Sequence, residues 1–563
     1  MITLNNINLS SIDLSGIDLR GIKLGLEGRG GGSGDGFPQL PGDVTRWHFG
    51  GLTNEMMAAM DDPRIEDADH KGRFLSFKNF AWGGMSGVGG YVQNFNDFRN
   101  NATVDKIRID EQSSNSVKVT ILTTGVGNAI FILKSVYQFN KSYFIKISSE
   151  GYNEGDLSLS FYAPSTSTAT TVKVPLNPNG ITEIPAIKED DFLAVYLNVG
   201  GKVGSITIEQ LPLYPGALVF DGVDDCGVCD NFPILTKEKG YTVVALRSYL
   251  AESIGYLVYN GTSAKQSAFA FERSDSLDTW SWGINSSIRN LLPKLMSYQT
   301  SNSYNNNIIS TGTAIEGDKL IRIASVGGYS NVAIWELVFL DHDATEEELT
   351  KIKDYFVKTY PWLFPDQAWT VVGKTNEDED RATIANITGN GNNLVLSNFG
   401  FAEGSGYNEE GEYAGYLVTD GVDDKVQSSS FTMNEDWTIV GDWELLSNVQ
   451  INCGIVKAQN VYLYNIANGL LISINNPRSL QSFGTKSLHA ICSDGRLYDR
   501  NWVEYEYTVD QNFAIVESSL NIGFNLNNYT QIAFKNLGIY NNQILSKEDC
   551  IKAYNYLQTL KAK

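Results

Sequence analysis

Residues 214–225 read YPGALVFDGVDD and residues 413–424 read YAGYLVTDGVDD, one phrase repeated at an offset of 199 residues with nine of twelve positions identical. Agreement of that length marks an internal duplication, which governs how the rest of the chain is divided. Each copy is a short apolar run, Leu218-Val219 or Leu417-Val418, ending in Asp-Gly. Glycine supplies the positive φ of a tight turn, and flanking aspartates hydrogen-bond their own backbone. The phrase therefore predicts a strand entering a turn. Each copy marks the start of a β-domain.

A fainter repeat lies upstream. Residues 47–91 contain W…GLTNE…KGRFLSFKNF…SG, and residues 369–407 contain W…GKTNE…NGNNLVLSNF…SG. Thr53, Asn54 and Glu55 align with Thr375, Asn376 and Glu377 at an offset of 322; Leu75, Asn79, Phe80, Ser86 and Gly87 align with Leu394, Asn398, Phe399, Ser405 and Gly406 at 319. Three residues gained or lost between the two halves is what a surface loop tolerates. In the second copy this segment runs straight into the DGVDD phrase. In the first, more than a hundred residues intervene, which reads as one domain interrupted by an inserted one. The interruption, 100–212, holds eight short β-type runs separated by turn residues, the pattern of a small β-sandwich. Both copies also close alike, with a strand leading into a helix. Thr345-Glu-Glu-Glu348 and Ser546-Lys-Glu-Asp549 place a hydroxyl three residues before an acid, as in a capping box.

Length and composition agree with this division. A chain of 563 residues is too long for one core, and 53 glycines, 28 tyrosines and 26 phenylalanines lean towards all-β structure. A net charge of −22 disfavours phosphate backbones and anionic lipid, so neither nucleic acid nor membrane is expected as a partner. No apolar run approaches a membrane span, and the N-terminus lacks the basic start and apolar core of a cleaved signal peptide. Cys226-Gly-Val-Cys229 has ligand spacing, yet neither a second pair nor a nearby histidine completes a zinc site. Two free thiols are the simpler reading.

Residues 1–27 carry a five-residue period, with Leu9, Leu14, Leu19 and Leu24 each preceded two positions earlier by isoleucine. The segment resembles a pentapeptide repeat, in which each five-residue side of a square coil points one leucine inward. About one turn is present. Ordering some 20 residues at roughly 1–2 kcal/mol each outweighs burying these side chains at about 1.5–3 kcal/mol each. The segment is therefore expected to order only against a partner or sister chains, as the anchor of a homo-oligomer, with a trimer favoured over a dimer. A Gly-rich tether, 28–41, follows.

The DGVDD phrase, the strands that follow at Tyr241-Thr-Val-Val and Trp437-Thr-Ile-Val, and the closing strand and capped helix resemble laminin G-like domains of the concanavalin A-like lectin/glucanase superfamily. The resemblance covers residues 42–99 with 213–364, and then 365–563. It implies tandem jelly rolls, the first interrupted by the inserted sandwich. The whole layout, a leucine-periodic head, a glycine tether and then lectin-like modules, is similar to fibre and decoration proteins of gut (crAss-like) bacteriophages. That similarity implies a virion location, contacts with capsid or tail proteins through the N-terminus, and cell-surface or mucus glycans as ligands.

The candidate calcium ligands follow from the same resemblance. Asp224, Asp225, Asp423 and Asp424 are candidate calcium ligands, an ion some laminin G-like domains bind, and no other cofactor is expected. The competing reading makes them turn aspartates that cap their own backbone. Trp280, Trp282 and Trp335 sit on strand faces where an aromatic ring stacks on a sugar or packs a core. The superfamily's glucanases need two carboxylates about 5 Å apart on one strand face. No Glu-x-Asp-x-x-Glu run occurs, and Glu377-Asp-Glu-Asp380 reads as a loop, so a binding protein is favoured over the alternative, a glycoside hydrolase.

Overall fold

The computed structural model describes residues 36–562 apart from short stretches, the longest being 164–170, 262–268, 309–316, 447–452, 475–480 and 508–515. For the strands within 272–293, 453–483 and 516–518 it describes the backbone alone. The leucine-periodic segment with Leu9, Leu14, Leu19 and Leu24 lies outside the described residues. The fold is all-β, of the sandwich or jelly-roll kind, and among the described residues every strand pairing is antiparallel. Among the described residues no helix is long and apolar enough to cross a membrane.

Three sandwiches follow from the sheet pairings. The first pairs an eight-stranded sheet centred on Thr242–Tyr249 and Asn331–Leu340 with another containing Phe74–Lys78, Cys226–Cys229 and Ile321–Ile323. Trp47, Leu218, Phe220, Val243, Leu337 and Phe339 fill the space between them. The second repeats the plan, with Trp437–Leu445 and Ile532–Asn541 at the centre of one sheet and Lys425–Met433 and Val516–Ile522 in the other, around Trp369, Trp437, Ile439 and Phe534. The third consists of two five-stranded sheets running from Arg99–Asn100 to Gly204–Gln210, closed on a core that includes Val117, Ile130, Ile145, Phe161 and Ile206.

The third sandwich leaves the first between the strands Gly87–Val88 and Leu218–Asp221. Its two connecting chains run side by side, with Leu213 N–H donating to Gly90 O at 2.9 Å and Tyr214 N–H to Gly89 O at 2.8 Å. The fully buried Gln210 side chain clips this neck. Its Oε1 accepts from the N–H groups of Val92 and Gln93 at 3.0 and 2.9 Å, and its Nε2 donates to Gln93 O at 2.9 Å.

The helices Glu346–Thr359 and Lys547–Gln558 return after the last strand of each jelly roll. Thr345 and Glu348 make both bonds of a capping box, and Ser546 Oγ accepts from Asp549 N–H at 3.1 Å. These helices do not end in solvent. With the 3-10 turn Pro361–Leu363 they form the middle of a fourth apolar layer that reaches all three sandwiches. Val244, Trp335 and Phe356 enter it from the first unit, Val440, Trp502 and Tyr554 from the second, and Phe144 and Ile181 from the third. The Phe144 and Tyr554 rings meet edge to face, with centroids 5.3 Å apart and planes at 89°.

A β-bulge interrupts each closing strand, and the one in the first jelly roll feeds this layer. Leu246 pairs with Glu336 and Arg247 with Ile334, so Trp335 is the extra residue; Asp442 pairs with Asn536 and Trp443 with Phe534, so Lys535 is its counterpart. A bulge lets two consecutive side chains leave the same face. Trp335 and Glu336 both point away from the jelly-roll core.

Candidate functional site

The scattered pieces of the sequence repeat meet in space, once in each jelly roll. The turn Asp221-Gly-Val-Asp-Asp225 is held by its own first aspartate, whose Oδ1 accepts from the N–H groups of Val223 and Asp224 at 2.8 and 3.4 Å. Gly222 has φ of +77°, and Gly421 in the second copy +74°, the conformation the sequence demanded. The buried carboxylate of Asp225 braces the turn. Its Oδ2 accepts from Asp221 N–H at 2.9 Å, and its Oδ1 accepts from Ser86 Oγ at 2.9 Å. Asp424 does the same with Asp420 N–H at 2.8 Å and Ser405 Oγ at 3.1 Å.

The upstream repeat supplies the other walls. Asn79 Nδ2 and Asn398 Nδ2 donate to Asp224 O and Asp423 O, both at 3.0 Å. Ser86 Oγ also accepts from Ala81 N–H, and Ser405 Oγ from Gly400 N–H, both at 2.8 Å. Asn54 grips Val88 through both backbone groups, and Asn376 grips Tyr407 likewise. Gly87 and Gly406 make that grip possible, since a Cβ there would lie 2.3 Å from Asn54 Oδ1 and 2.5 Å from Asn376 Oδ1.

At the rim of each cage an aromatic residue occupies the left-handed region, Trp82 at φ +49° and Phe401 at φ +50°. A bulky side chain there costs on the order of 1–3 kcal/mol and persists only where its surroundings impose it. Trp82 stacks on Phe80, centroids 4.8 Å apart, and Phe399 lies 6.0 Å from Phe401; all four rings are half-buried. At the turn tips Val223 and Val422 are 71% and 70% exposed. Each cage thus presents a strained aromatic, an exposed apolar tip and an acidic turn.

Asp221, Asp224 and Asp225, and likewise Asp420, Asp423 and Asp424, bring carboxylate oxygens within 4.8 Å of one another and could furnish oxygens to a hard cation. The hydrogen bonds above, however, already occupy both oxygens of Asp225 and of Asp424. Burial, reinforced by the neighbouring aspartates, pushes the Asp225 carboxyl up to about 7 and that of Asp424 to about 6. The folded state therefore holds these protons more tightly than the unfolded chain does. This part of the stability is complete below about pH 4 and is lost as pH rises through 6 and 7. Asp225→Asn is expected to flatten the fall in melting temperature between pH 4 and 7; an unchanged slope would contradict the assignment.

The other sequence candidates fall elsewhere. Trp335 is not available as a sugar platform. It is fully buried in the shared layer, donating from Nε1 to Pro215 O at 2.8 Å, because the bulge turns it inward beneath the helices. Trp280 and Trp282 lie in the strand Leu277–Trp282, and their side chains are outside the described residues. Cys226 and Cys229 lie three apart on a strand, which puts them on opposite faces. In the acidic loop, Asp378 accepts from Thr375 N–H and Oγ1, and Asp380 pairs with Lys374. Ser86, Asn79, Trp82 and their counterparts were missed as site residues, although all but Trp82 and Phe401 were visible as aligned repeat positions.

No protein-family model and no curated protein matches the sequence. Among solved structures, the binding domain of botulinum neurotoxin DC in complex with rat synaptotagmin II is 8% identical, with 58% of this chain and 90% of that one covered at a TM-score of 0.23. The botulinum neurotoxin serotype C1 binding domain is 8% identical, with 59% and 91% covered at 0.24. A Trypanosoma rangeli sialidase in complex with sialic acid is 10% identical, with 86% and 91% covered at 0.24.

Proposed function

We propose that this protein is a non-catalytic, glycan-binding structural protein, a fibre or decoration protein of a bacteriophage particle attached through residues 1–27. The observation that carries the binding part is the duplicated cage. Two copies of a sequence have kept a half-buried aromatic residue in a costly backbone conformation at the edge of the core, next to a turn braced by buried hydrogen bonds. Aromatic faces stack on the C–H surfaces of sugar rings, and acidic and amide groups at the edge suit hydroxyls. Each cage serves as one lectin-like site.

The virion part rests on the sequence layout: a short leucine-periodic segment that needs a partner to fold, a glycine tether, and large acidic heads. Sister copies would associate through that segment, as a trimer in preference to a dimer, leaving the heads to sample the host surface or mucus.

Titrating the full chain with a panel of bacterial and mucin oligosaccharides tests the site. Trp82→Ala combined with Phe401→Ala should weaken the best ligand roughly ten-fold, about 1.4 kcal/mol, without changing the melting profile by a comparable amount. Binding that survives the double variant places the site elsewhere. Release of reducing sugar from the same panel would favour the glycoside hydrolase instead. Removal of residues 1–27 should abolish incorporation into particles while the remainder stays folded, and normal occupancy of the truncated chain would overturn the anchor.

A further inference from the structure

The inserted sandwich has a second face of distinct chemistry. One of its sheets turns Phe144 and Ile181 towards the shared layer. The other runs in the order Val172–Pro175, Ser158–Tyr162, Ala194–Asn198, Asn128–Leu133, Arg99–Asn100. Strand register places five residues in one row across its outer face. Lys173 stands opposite Ser160, Ser160 opposite Tyr196, Tyr196 opposite Phe131, and Phe131 opposite Arg99. Five strands at about 4.8 Å make this row roughly 19 Å long.

The centre of the row is aromatic. The Tyr196 and Phe131 rings lie 5.7 Å apart and 33° from parallel, forming a shallow floor. Tyr162, 43% exposed, stands against Tyr196 at 5.9 Å and 89°, forming a wall. None of the three belongs to the apolar core of the sandwich. Ser160 beside this floor is 7% exposed, and its Oγ is buried without a hydrogen-bond partner. Buried hydroxyls are ordinarily paired, so this one marks a position where a ligand hydroxyl or carboxylate completes the set.

The ends of the row are basic. Lys173 and Arg99 are exposed, and neither makes an ion pair with a described residue. The row contains no acid, in a chain with 65 acidic residues against 43 basic ones. On so acidic a protein, a strip with aromatic floor and cationic ends complements an anion that carries stacking surface.

We propose that the outer face of the inserted sandwich is a binding site for an acidic oligosaccharide, with sugar rings stacked on Tyr196 and Phe131 and carboxylates drawn to Lys173 and Arg99. The ligand class rests on the glycan-binding reading above, but the face is separate from the jelly-roll cages. The test is calorimetric titration of the full chain with hexagalacturonate, its neutral methyl ester, a hexameric sialic acid and the hexanucleotide dT6. At least one acidic hexamer should bind. Its Kd should rise at least five-fold in Lys173→Gln/Arg99→Gln and about ten-fold in Tyr196→Ala, and hexagalacturonate should outbind its ester. Should Tyr196→Ala fail to fold, the half-exposed Tyr162→Ala carries the test with the same direction. Measured in the Trp82→Ala/Phe401→Ala background, the row variants should show the same losses, which separates failure of this face from failure of the cages. The proposal is overturned if neither acidic hexamer binds at 5 mM, if the ester binds as well as the acid, if dT6 binds more tightly, or if the row variants abolish self-association and leave glycan binding unchanged.

Discussion

Arg46→Ala should destabilise the first jelly roll by about 3–5 kcal/mol, read as a large fall in its urea midpoint. Arg46 and Glu336 face each other at 3.2 Å with side chains 1% and 0% exposed. Glu336 Oε2 takes the Arg46 contact, while Oε1 accepts from the hydroxyls of Tyr355 and Tyr360, each at 3.1 Å, and lies 2.8 Å from His48 Nδ1. The guanidinium also donates to Tyr355 Oη at 3.0 Å and lies 4.4 Å from the Phe37 ring. Removing the arginine leaves a carboxylate in the shared layer with its cation gone, which is the costly way to break a buried pair. Removing both charges is milder. In the second jelly roll, strand register puts Ala368 where the first has Arg46, and Asn536 where it has Glu336. The double variant Arg46→Ala/Glu336→Asn should therefore recover a substantial part of the loss. A double variant at least as unstable as the sum of the singles would show that the charges act independently.

Trp335→Ala should cost a similar amount, about 3–5 kcal/mol, without affecting any ligand directly. The ring is fully buried between the bulged strand and the helices, with Tyr214 at 6.4 Å. Truncation leaves a cavity where three sandwiches share one layer, and it strips Pro215 O of its indole donor. The expected readout is a lower first unfolding transition with glycan affinity unchanged at temperatures below it. Lost affinity in a protein that melts normally would return Trp335 to the surface and refute the buried placement.

What the sequence made legible depends on whether a signal was local or non-local. The all-β class, the paired DGVDD turns and both helix caps were readable because each depends on neighbours within a few residues, Gly222 with Asp221 or Thr345 with Glu348. The cages were half-legible. The aligned residues Asn79 and Ser86 were visible as a repeat, yet their role depends on meeting Asp224 and Asp225 more than a hundred residues later. The left-handed backbone of Trp82 leaves no mark in composition. Trp335 packs a core, one of its two readings, but which core depends on a bulge that strict alternation cannot anticipate. The fourth apolar layer was invisible too, since Phe144, Trp362 and Tyr554 look like ordinary core residues of three separate units.

The neck of the inserted sandwich has a counterpart in the second jelly roll that carries nothing. There the chain passes from Gly406–Tyr407 to Leu417–Val418 through residues 408–416, where Gly411 and Gly415 both take φ of +82°. In engineering terms this loop is an unused port. A guest domain whose ends lie as close together as Gly89 and Tyr214 could be spliced in at the place where the first unit already bears one. The two jelly rolls would then display different cargoes from a common chassis, and the head could be diversified by exchanging modules without repacking either core.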